Sequence, residues 1–275
     1  MIDSEKVRDA AQAVKEIIQA VPVYQDAIQP AAKEIGTALS TVAKAVNLAL
    51  APLQGMIWAW DQIKGYLIPA LVERLKQVPE ERIITPAPNL AGPAIEALRF
   101  AGHESVLREM YANLLATAMD AKTAREAHPA FVEILKQLSP DEARIVRLLG
   151  ESDDLPVISL IAWKPAPVDG YDVILRHFSL IGNEAGCSNP ELSQSYLDNL
   201  CRLGLGEIPN DTHLARQEVY DGLKNDSTIK DAITKIDQSG RRPEILQEHF
   251  YITSLGKQFY SACVLGHDPD HKDSG

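Results

Sequence analysis

Between Ile35 and Trp60 the apolar residues Ile35, Leu39, Val42, Val46, Ala49, Leu53, Met56 and Trp60 advance in alternating steps of four and three. That repeat lines one side of an α-helix. Thr37, Ser40, Lys44, Asn47 and Gln54 lie off this seam and keep a second side polar. Leu48, Leu50, Ile57 and Trp58 also fall outside it, so the apolar surface is wider than one packing contact needs. Such a surface fits a buried core helix, a helix that receives a partner, or a helix resting on a membrane. A membrane span needs about 20 nearly uninterrupted apolar residues, whereas Lys44, Asn47, Pro52, Gln54 and Gly55 interrupt this run. The core reading comes first. Trp58 points away from the seam that Met56 and Trp60 share, which makes Met56, Ile57, Trp58 and Trp60 the candidate partner or membrane face.

Proline and glycine punctuate the rest of the first half. An amphipathic helix is expected from Ser4 to Ala20, with Val7, Ala11, Val14, Ile17 and Ile18 at helical spacing and a stop at Pro22. Pro52 predicts two helices, Lys33 to about Leu50 and about Leu53 to Lys76, the second kinked at Pro69. The prolines at 79, 86, 88 and 93 predict an extended strap from Pro79 to Pro93. Helix resumes from Ala94 to Met119 in two pieces broken at Gly102. Ile95, Leu98, Phe100, Val106, Leu107, Met110, Leu114, Leu115 and Met119 form its packing face. A further helix is expected from about Pro129 to Leu138.

Past Leu138 the pattern changes. Ser139-Pro140-Asp141-Glu142 starts a helix, with serine as the cap, proline at the first position and glutamate three residues after the cap. A β-rich run follows from Leu155 to Trp163, then helices at Asp172 to Glu184 and Asn189 to Leu203, strands at Gly204 to Ile208 and Glu248 to Thr253, and a closing helix from Ser254 to Leu265. This order resembles a winged-helix domain interrupted by a helical, charged insertion at about 214–242. The predicted fold is therefore mainly α: an N-terminal helical region, 1–138, followed by a winged-helix-like α+β region, 139–275. A winged helix that reads DNA needs Lys or Arg on its third helix. Here Arg202 stands against Glu191 and Asp198. Protein contact is the expected use, with a DNA-binding regulator as the alternative.

Charge sharpens that expectation. Of the 275 residues 45% are hydrophobic, enough for a sizeable core, and the net charge is -11. Residues 1–138 carry 14 Lys and Arg against 16 Asp and Glu, and residues 139–275 carry 13 against 22. The acidic second half repels phosphate backbones and suits a basic partner. The acidic start MIDSEKVRDA lacks the pattern of a secretory signal, which predicts a cytoplasmic protein, peripheral at the inner membrane if the Trp58 face is used. Cys187, Cys201 and Cys263 form no CxxC pair and read as buried thiols.

Several stretches resemble the Abi-alpha family of bacterial abortive-infection proteins. They are VYQDAIQPAAKEIGTAL from Val23, ALAPLQGMIW from Ala49, ERIITPAPNLAGPAIEALRFAGHE from Glu81, REMYANLLATAMD from Arg108 and AHPAFVEILKQLSPDEARI from Ala127. The likeness runs from Val23 to Leu149. It implies defence of a bacterium against phage, and carries over no catalytic residues.

Familiar catalytic motifs are missing from the sequence as well. His103-Glu104 lacks the second histidine of HExxH, and GxSxG, GxxxxGK[ST] and GxGxxG are absent. His103, Glu104, Arg108 and His128, with Glu109 nearby, form a candidate polar hinge, read as hydrogen-bonded structure. His267, Asp268, Asp270 and His271 cluster in a tail that proline and chain-end position mark as solvated. The expectation is no enzyme, catalytic residue, cofactor or metal, and action through a protein partner, with a membrane surface second and nucleic acid disfavoured.

Overall fold

The structure, a computed structural model, describes residues 25–54, 60–150 and 154–266, without the side chains of 25–39 and 60–62. The expected Ser4 to Ala20 helix, Met56, Ile57, Trp58 and the histidine tail lie outside the described residues, as does the side chain of Trp60. Among the described residues the first half is helical: α1 (Gln25–Gln54), α2 (Trp60–Leu75), α3 (Pro88–Ala101), α4 (Ser105–Met119), α5 (Ala130–Lys136) and α6 (Pro140–Leu149). The second half adds β1 (Asp154–Trp163), β2 (Tyr171–Phe178), α7 (Ile181–Glu184), α8 (Ser193–Arg202), β3 (Gly206–Glu207), α9 (Asp221–Lys224), α10 (Ser227–Gln238), β4 (Arg242–Ile252) and α11 (Ser254–Cys263). The chain is mainly α with an α+β C-terminal part, as its pattern predicts.

Pro52 does not end the first helix. It stands in the last turn of α1, where the carbonyl it leaves without its helical donor is that of Leu48, a residue 76% exposed. Leu48 is solvent-exposed, so that carbonyl is not sealed in the core and the usual penalty for proline is reduced. Pro69 is accommodated inside α2 in the same way, four residues after the exposed Gly65. The strap is also shorter than expected. A 3-10 turn at Glu80–Arg82 precedes it, Ile83 bridges Asp120, and Pro88 opens α3 at the first helical position, which needs no N–H.

Residues 172–184 are the larger correction. They form β2 and the single turn α7 in place of a helix. Tyr171, Val173, Ile174 and Leu175 are strand formers, and β1 supplies the partner: Leu160 pairs with Leu175, Ile161 with Val173 and Trp163 with Tyr171. The four strands are antiparallel in the order β2-β1-β4-β3. The charged insertion returns as α9 and α10, and α10 lays Ile229 and Ile236 on the sheet against Ile158, Leu160 and Ala162.

Helix α4 organises the rest. Every side chain from Met110 to Met119 is buried, and α2, α3, α5, α6 and α11 all pack on it. One core runs from Val42 on α1 to Cys263 on α11 and is continuous across Leu138. Two polar residues of α4 serve as caps for the end of the last helix. Asn113 donates to the carbonyl oxygen of Cys263 at 2.9 Å and Thr117 to that of Ala262 at 3.3 Å, pairing acceptors that a helix C-terminus leaves open. Phe131 and Phe259 meet edge to face at 5.5 Å beside them.

Candidate functional site

Helices α3 and α4 are joined by only three residues, so they leave the turn side by side, and α5 closes over both. Between them lies a groove of about 490 Å³. Pro93, Glu96, Ala97, Phe100 and Ala101 form one wall, at the spacing of a single helix face. Leu107 and Tyr111 form the floor, and Leu135, Lys136 and Leu138 the opposite wall. Phe100 stands at the lip, 69% exposed, with the Arg99 guanidinium 5.2 Å from its ring centre. The helical spacing counts Phe100 among the packing residues, and the structure places it outside the core. It lies about 200° around the helix from Leu98, and Ala91, Ala94, Ile95 and Leu98 define the buried side.

The four hinge residues do not form one cluster. His103 and Glu104, in the turn between α3 and α4, line the groove, with His103 Nε2 3.5 Å from Glu104 Oε1. Arg108 instead donates to the carbonyl of Gly102 at 3.4 Å and covers the ring of Tyr66 on α2. Burial raises the Tyr66 hydroxyl above its usual range, and Arg108 offsets part of this. His128 caps α5: its Nδ1 accepts from the amide of Ala130 at 3.1 Å, and its ring rests against Phe131. Glu109 belongs to a separate network with Arg74 and Asn113. Tyr111, at the bottom of the groove, is fully buried, and burial, Glu133 and Cys263 hold its phenol well above the usual range, so it stays neutral.

Two anchors hold this region in place. Asp120, fully buried at the end of α4, accepts from Arg82 Nε at 2.9 Å and from the amide of Lys122 at 3.0 Å. The strap alongside is fixed by Ile84 N donating to Met119 O at 2.8 Å and Ala121 N to Arg82 O at 2.9 Å. The second anchor is Asp141. It accepts from the amides of Ser188 and Asn189 at 2.9 and 3.1 Å and from the Tyr196 hydroxyl at 2.9 Å. Burial alone would raise its carboxyl, but these donors and Arg144 more than reverse that and hold it below the ordinary carboxylate range. Both anchors clasp segments distant in the chain. Arg202, the cation a nucleic-acid reading of α8 requires, donates to Asn199 Oδ1 and to Gln137 Oε1.

Arg82 and Asp120, which join the strap to the end of α4, both lie within the stretches that resemble Abi-alpha. The family described as abortive infection alpha matches residues 62–263, most of the chain. This chain belongs to the abortive infection alpha family. The match begins later than the likeness read from Val23 and continues past Leu149 through the sheet to the last residue of α11. The abortive infection alpha match thus includes both groove and sheet. No curated protein matches the chain. A solved structure described as that of an uncharacterized protein from the hydrocarbon-degrading marine bacterium Alcanivorax borkumensis SK2 is similar, at 22% identity over 48% of this chain and 91% of that one, with a TM-score of 0.35. Among the described residues, no helix is long and apolar enough to cross a membrane.

Proposed function

We propose that this protein takes part in abortive-infection defence against phage, in the cytoplasm, by binding a protein partner through the groove of α3, α4 and α5 and not by catalysis. Membership of the abortive infection alpha family supports the setting. The observation that carries the binding mode is Phe100, a large aromatic 69% exposed above the apolar walls of the groove. An exposed aromatic beside a concave apolar surface is the composition of an interface hot spot. The lip bears Glu96, Glu104, His103 and Lys136, which would orient a partner by charge while Leu107, Leu135 and Leu138 bury its apolar residue. We read α6, β1, α8, β3 and β4 as a winged-helix-like support for this surface, a reading favoured by β4 lying between β1 and β3.

Phe100→Glu tests the proposal, because an exposed side chain contributes little to folding and the variant should stay within about 0.5 kcal/mol of wild-type stability. Plaque formation is compared in cells producing wild type or variant. Protection by wild type that is lost with Phe100→Glu at equal protein level supports the groove. Full protection by the variant would remove it, and no protection by wild type across a broad phage panel would remove the defence role.

A further inference from the structure

We draw no further inference here: the strongest candidate, the exposed apolar patch of Tyr171, Val173 and Ile174 on the edge strand β2 of the sheet, carries none because nothing in the structure shows what covers it.

Discussion

Asn113 offers the most direct probe of how the last helix is held to the centre of the molecule. It is 5% exposed, donates to Cys263 O at 2.9 Å and Val264 O at 3.3 Å, and accepts from Arg74 Nε at 2.5 Å. Alanine strands the carbonyl of Cys263 at the end of α11 and the Nε of Arg74. A buried group so stranded costs about 1 to 3 kcal/mol. Arg74 retains Ala70 O and Glu109, so most of the loss falls on α11. The expected destabilisation of Asn113→Ala is therefore about 2 to 4 kcal/mol. Asn113→Asp keeps the acceptor for Arg74, but it cannot donate and sets a negative charge against the negative end of the α11 dipole. It should be worse than alanine. Urea unfolding followed by circular dichroism measures both, with the slope unchanged if only stability moves. A loss under about 0.5 kcal/mol for alanine, or an aspartate variant more stable than the alanine one, would refute the argument that this amide ties α11 to α4.

Arg82→Ala removes one partner of the fully buried Asp120. Arg82 is itself partly exposed, so the expected cost lies at or below the lower end of the range for broken buried pairs, about 2 to 3 kcal/mol by urea unfolding. Gly256→Ala places a methyl 2.0 Å from the carbonyl oxygen of Leu205, which forces α11 away from the turn before β3. Thermal unfolding should show a loss of about 1 to 3 kcal/mol. For Asp141 the folded carboxyl titrates below its unfolded value of about 3.9. Its contribution is therefore complete above that pH and disappears as the pH falls through the lower folded value. Asp141→Asn should destabilise clearly at neutral pH, with the gap to wild type closing progressively below about pH 4.

The helix start at Ser139 was legible because a capping box is local: Ser139 Oγ accepts from Glu142 N at 3.2 Å, and Ser139 N donates to Glu142 Oε2 at 2.6 Å, three residues apart. The groove was half legible. Leu107, His103 and Glu104 were picked out by type and spacing, but Phe100 was assigned to the core because one helix period cannot say which of two apolar stripes meets a neighbour. Asp120 and Asp141 gave no warning in the sequence, since their partners lie 38 and 48 positions away.

Short-range pattern was enough to determine the helical first half, the run of β1, the helical insertion and the absence of familiar catalytic motifs, because spacing and capping act within a turn or two. Three outcomes belonged to tertiary structure alone: residues 171–178 became a strand because β1 offered them a ladder, Pro52 stayed inside a helix because the Leu48 side of that turn faces solvent and not the core, and α11 joined the first half because Asn113 and Thr117 cap it from 145 positions or more away. Each was decided by a partner remote in the chain or by access to solvent, and neither is written in the residues nearby.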